Sequence, residues 1–269
     1  MTATGKDIRM CAKLPVLRLS YRVYRVWQRD RDIYLNAWKT EFWPPFMEPL
    51  FSILALGLGL GRYVTDINGM SFLQFLAPAF VATGAMYAAS FECAYGSFVR
   101  MVYQKTFDAI LATPCTIEDI IGGEIAWGTT RALLSSVVVL FVIAAFGLVQ
   151  SWWALAVPFV GLVEGLMFAS LSMVVTSKVP TFGAFNYYIT LGITPMFFFS
   201  GVFFPLETLP ENLRMLTWFS PLTHAVRPIR ALTVGAAHPG LIWDLVWMLV
   251  VSFVLTNVSL ALMRKRLIK

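Results

Sequence analysis

Six stretches of this chain are apolar for long enough to cross a lipid bilayer, at about 43–61, 70–98, 125–149, 152–177, 181–204 and 241–263. A spanning helix needs about 20 predominantly apolar residues. The chain is therefore expected to be an all-α membrane protein of six transmembrane helices. Composition agrees, because only 13% of the residues are charged, about half the share in a soluble domain. Residues 1–41 are rich in Arg and hold no continuous apolar core, so no signal peptide is expected before the first span.

Lys and Arg set the expected orientation. With both termini cytoplasmic, seventeen of the 21 fall on the inner side, and Arg62, Arg214, Arg227 and Arg230 on the outer. That bias follows the positive-inside rule. The formal charge of +6 then points to anionic lipid at the cytoplasmic surface and not to nucleic acid. Cys11, Cys93 and Cys115 fall in cytoplasmic or intramembrane segments and read as small packing residues.

Residues 1–41 read as a cytoplasmic tail with an interfacial amphipathic helix, ahead of a transmembrane domain over 42–269. At 100° per residue Arg18, Arg22, Arg25 and Arg29 share one face, while Val16, Val23, Trp27 and Tyr34 share nearly the opposite one. Such a helix is expected to lie on the membrane surface, with its rings in the acyl boundary and its guanidinium groups on phosphates. In the first span Gly57 and Gly61 are four apart, as are Gly161 and Gly165 in the fourth. Both pairs predict close helix packing.

Between the second and third spans, VRMVYQKTFDAILATPCTIEDIIGGE predicts a short helix outside the bilayer, with Thr113 as N-cap, Pro114 first and Gly122 as the stop. Its apolar residues, Ile110, Leu111, Ile117, Ile120 and Ile121, suit a partner polypeptide or the protein's own helix ends.

Glu92 interrupts the second span, and a carboxylate there needs a proton or a partner. Arg131 and Glu164 are the candidate neighbours. A structural clasp, a substrate contact and a proton relay all remain open. For chemistry the chain offers little: two histidines, His224 and His238, no zinc-ligand spacing, and no G-x-x-x-x-G-K-[ST] phosphate loop. His224 could serve as acid or base in a membrane transferase, or fix the local fold.

The run MFFFSGVFFPLETLPENLR, Met196 to Arg214, starts like a span and is then broken by Gly201, Pro205 and Pro210. With Pro221-Leu222-Thr223-His224 and Arg230-Ala231-Leu232 after it, this pattern resembles the type-2 family of ATP-binding-cassette exporter permeases. Tyr87 to Glu92, Thr106 to Pro114, Phe185 to Tyr188 and Thr194 to Phe197 are similar to the nodulation-type subfamily, which exports lipo-chitooligosaccharides.

The resemblance implies a transport subunit and not an enzyme, in a bacterial inner membrane. Two copies of the chain would surround a shared pathway, each above a separate ATPase that carries Mg-ATP. The region 106–121 would be a coupling helix touching that ATPase through Phe107, Asp108, Leu111, Pro114 and Glu118. The region 205–239, with Gly201, Pro205, Pro210, Pro221 and His224, would form re-entrant outer helices. The cargo would be an amphiphilic, glycolipid-like molecule passing Trp43, Phe91, Glu92, Tyr95, Phe197 and Phe199. A hydrophobic drug or simple lipid is the other cargo class within the family.

Overall fold

The computed structural model describes residues 20–41, 43–59, 61, 63, 67 and 69–268, and all its regular structure there is helical apart from one isolated bridge, Ile67 to Met70. Arg18 and Val16 of the expected N-terminal helix lie outside the described residues. Ten helical elements carry the argument. They are α1 (Arg22–Asn36), α2 (Trp43–Gly59), α3 (Phe72–Phe91), α4 (Thr106–Leu111), α5 (Ile117–Ala145), α6 (Val157–Lys178), α7 (Thr194–Phe199), α8 (Glu211–Trp218), α9 (Pro221–Val234) and α10 (Leu241–Leu267).

Among the described residues four helices are long and apolar enough to cross a membrane: Phe72–Tyr103, Ile117–Ala145, Trp152–Lys178 and Leu241–Leu267. They match the second, third, fourth and sixth expected spans. The first has a counterpart in α2, of 17 residues. The stretch expected as the fifth span folds as short helical pieces from Phe182 to Phe199, with a π-helical segment at Ile189–Ile193.

The core lies between α3, α5, α6 and α10. Small residues bring α5 and α6 together: a Cβ on Gly165 would stand 2.4 Å from Ala132 Cβ, and one on Gly161 would stand 2.5 Å from Ser136 Oγ. Without a hydrophobic drive between lipid-embedded helices, such close backbone approach supplies the packing.

Two boundaries differ from expectation. The helix does not begin at Thr113 or stop at Gly122. Thr116 is the N-cap, its hydroxyl accepting from Asp119 N–H and the Asp119 carboxylate accepting from Thr116 N–H, and α5 then runs unbroken to Ala145. That reciprocal arrangement satisfies two amide donors at the helix start. What remains of the expected coupling helix is α4 with the turn to Cys115. Gly122 and Gly123 are helical because α1 crosses there, a Cβ on Gly123 falling 2.5 Å from Val26 Cβ.

The second difference concerns α1 itself. It packs along α5, burying Val26 and Asp30, so its role as a free surface helix is narrowed. The Trp27 indole donates to Thr130 Oγ1 at 2.9 Å, and the Arg22 guanidinium donates to the carbonyl of Pro114.

Candidate functional site

The second span changes character after Phe91. Two π-helical segments, Glu92–Gly96 and Val99–Tyr103, follow α3, and such wide turns re-aim side chains, often at working sites. Here they deliver Glu92 and Arg100 to one place. Arg100 donates to Glu92 Oε1 at 2.9 Å and to both oxygens of Glu124 at 2.6–3.1 Å.

Glu124, fully buried on α5, also accepts from Ser97 at 2.6 Å and from Arg29 of α1 at 2.8 Å. Arg29 donates in turn to Asp30 Oδ1 at 2.6 Å. On the other side Arg131 sits 3.6 Å from Glu92 Oε2, donates to Glu41 at 2.8 Å, and stacks over Tyr34 at 4.5 Å.

This cluster joins α1, the second span, α5 and the short helix Trp38–Glu41. It contains three guanidinium groups, Arg29, Arg100 and Arg131, and four carboxyls, Asp30, Glu41, Glu92 and Glu124. Burial pushes Asp30 up to about 7, helped by the nearby Glu124 carboxylate and opposed by Arg100 and Arg29. Asp30 Oδ2 makes no hydrogen bond among the described residues.

Beside the cluster lies a cavity of about 340 Å³. Glu41, Glu92 and Arg131 form its charged wall; Phe80, Tyr87, Phe91 and Phe197 form its aromatic one. Tyr87, Phe91 and Tyr95 are spaced four apart, so they stack as a ladder on one helix face, with centroids 5.8 and 5.6 Å apart. Phe197 closes on Tyr87 at 6.1 Å, and Phe182 and Phe185 meet Tyr95 at 5.0 Å. Charge against a row of flat apolar faces suits a molecule with a polar, ring-containing end and an apolar end.

Of the expected pathway residues, Phe91, Glu92 and Phe197 line this cavity and Tyr95 continues its ladder. Trp43 and Phe199, about half-exposed, do not line it. Glu92 is partnered by Arg131, as the sequence suggested, and more closely by Arg100, which the sequence reading missed. Glu164 stands apart, fully buried with both carboxyl oxygens unpartnered. Arg25 donates to Gln28 Oε1 at 3.0 Å. In the expected coupling region Phe107 turns inward and is fully buried, whereas Asp108 and Pro114 are exposed, Leu111 is half-buried, and Glu118 lies 3.8 Å from Arg264.

At the opposite end Gly201 takes φ +76° and ends α7, a conformation only glycine adopts freely. Pro205 and Pro210 flank a single 3-10 turn before α8, and Pro221 opens α9. His224 on α9 is buried, its Nε2–H donating to the Trp218 carbonyl at 2.8 Å and its Nδ1 meeting Asp244 of α10 at 2.6 Å. With both ring nitrogens engaged, His224 ties α9 to α10 and to the end of α8.

Comparison with known proteins decides the lineage. The ABC-2 type transporter family model matches residues 21–234. The chain belongs to the ABC-2 type transporter family. It is 41% identical to Nodulation protein J of Rhizobium meliloti strain 1021 over 251 residues, covering 90% of this chain and 92% of that one. It is 39% identical to Nodulation protein J of Rhizobium leguminosarum bv. trifolii, over 91% of this chain and 93% of the relative. A more distant relative at 23% identity is the Inner membrane transport permease YadH of Escherichia coli K12, matched over 76% of this chain and 80% of the relative. As a member of this family the chain is a transport permease, and the cavity and ion cluster lie within its matched region.

Proposed function

We propose that this ABC-2 permease exports an acylated oligosaccharide across a bacterial inner membrane, driven by a separate ATPase. The observation that carries the reading is the cavity lined by Tyr87 and Phe91 of the aromatic ladder and by Glu41, Glu92 and Arg131 of the ion cluster. Aromatic faces can stack on sugar rings and also shelter acyl chains. The cargo class is the one implied by the nodulation-type resemblance, and the Nodulation protein J relatives support it.

In this reading both termini are cytoplasmic and six segments cross the membrane. Besides the four long helices, α2 supplies the first span; its 17 residues reach about 26 Å at 1.5 Å per residue, enough for a thin or locally compressed hydrocarbon layer. The pieces from Phe182 to Phe199 supply the fifth. The π segment within them buries Ile193 against the core and leaves Thr190 and Leu191 exposed. Helices α8 and α9 then dip into the outer leaflet.

Two copies of the chain pair with two ATPase subunits, which bind Mg-ATP. The contact surface is α4 and the following turn, offered through Asp108, Leu111 and Pro114, with Glu118 at its border; the buried Phe107 supports that surface from behind. Nucleotide state would then reach the cavity through Arg22, which holds Pro114, and through Arg29, which holds Glu124. Such coupling requires only that the two ATPase states favour different arrangements of these ties.

The test is ATP-dependent uptake into inside-out vesicles holding the permease and its ATPase. An acylated chitooligosaccharide should accumulate, and removing its sugars while keeping the acyl chain should abolish accumulation. Undiminished uptake of the sugar-free acyl compound would assign the permease to simple lipids or hydrophobic drugs.

A further inference from the structure

A second, larger cavity of about 780 Å³ lies between α9 and α10, at the end of the bundle away from α4. It plays no part in the proposed export route. Its walls divide into two chemistries. Trp243, Val246 and Val250, on successive turns of α10, are exposed and form an apolar track. Above the track stand the guanidinium groups of Arg227 and Arg230.

The two arginines differ in what they can do. Arg230 is committed: it donates to the carbonyls of Phe75 at 3.0 Å and Gly201 at 2.7 Å and stacks on the Phe75 ring at 3.7 Å. Arg227 is exposed, with no carboxylate or carbonyl partner among the described residues. The acidic residue in the cavity wall, Asp244, is engaged by His224 at 2.6 Å, and His224 is itself held under Trp247 by a stacked contact at 4.1 Å. The cavity thus presents unpaired positive charge at the head of an apolar track, next to tryptophans of the kind that settle at the membrane boundary.

We propose that this cavity binds an anionic phospholipid of the surrounding leaflet. Its phosphate sits on the Arg227 guanidinium and one acyl chain runs along Trp243, Val246 and Val250. Bound there, the lipid bridges α9 and α10 beside the His224–Asp244 tie. Charge complementarity selects this occupant over a zwitterionic lipid, which brings no net negative charge to Arg227.

The full-length chain, purified in mixed micelles, provides the test through quenching of its tryptophan fluorescence. Phosphatidylglycerol brominated on its acyl chains is compared with phosphatidylcholine brominated identically. Half-quenching of the headgroup-sensitive component should require about fivefold less phosphatidylglycerol, the preference conferred by one basic residue near a membrane surface. Arg227→Gln should erase that preference, Arg227→Lys should keep it, and Trp243→Phe should remove most of the amplitude of this component. Equal curves for the two lipids in the parent chain, or a preference that persists in Arg227→Gln, would overturn the proposal. A signal unaffected by Trp243→Phe would do the same, by locating the lipid elsewhere.

Discussion

Arg100 holds the ion cluster together, since it alone touches both Glu92 and Glu124. Replacing it with Met leaves Glu124 buried beside Glu92 and Asp30 with one cation fewer. Breaking a buried pair this way typically costs about 3–5 kcal/mol, so Arg100→Met should fall well below the parent in a thermal unfolding series in detergent, with Arg100→Lys intermediate. Glu164 predicts the opposite. Its two oxygens are buried without partners, and leaving such a group unsatisfied costs about 1–3 kcal/mol, so Glu164→Met should match or exceed the parent in the same series. Asp30 gives a pH dependence. Its folded value, about 7, lies above the ordinary 3.8, so its contribution is fully present below about 3.8 and is lost as pH rises through about 7. Docking of α1, read from the Trp27 emission, should weaken over that window, and Asp30→Asn should flatten the profile. Glu92 was legible as a residue needing a partner because a carboxylate in an apolar run demands one. Arg100 was not, because the π-helical turns that carry it to Glu92 leave no mark in the hydrophobic pattern.

Among elements, the long apolar helices could be read directly from their length, and the small-residue contacts from the four-residue spacing at Gly161 and Gly165. The coupling region was harder. Gly122 and Gly123 look like a helix stop, yet the helix passes through them because α1 needs a position without a side chain at Gly123, a tertiary requirement invisible to local propensity. Gly123→Val should therefore push α1 off α5. The expected result is faster amide hydrogen exchange across Arg22–Asn36 with exchange in the interior of α5 unchanged; unchanged protection of α1 would show that the crossing is not held there. Likewise α1 reads from sequence as a surface helix, because its arginines point toward lipid phosphates until the fold supplies Glu124 for Arg29. On α4, charge reversal at Asp108 should uncouple ATP hydrolysis from transport without loss of expression. Retained coupling would remove α4 as the contact with the ATPase.

For the molecule as a whole, three levels of organisation meet along one line. The exposed turn at Pro114 is tied to α1 by Arg22, α1 is tied to α5 and the second span by Arg29 and Arg100, and that cluster forms the charged wall of the aromatic cavity. In the proposed function this line connects the surface offered to the ATPase with the cavity offered to the cargo. The most direct test is capture of the chain from its native membrane in mild detergent, with co-purifying proteins identified by mass spectrometry. A stoichiometric partner carrying a G-x-x-x-x-G-K-[ST] loop, lost on charge reversal at Asp108, is the predicted result. Recovery of the chain alone, while other membrane complexes stay intact in the same extract, would contradict it.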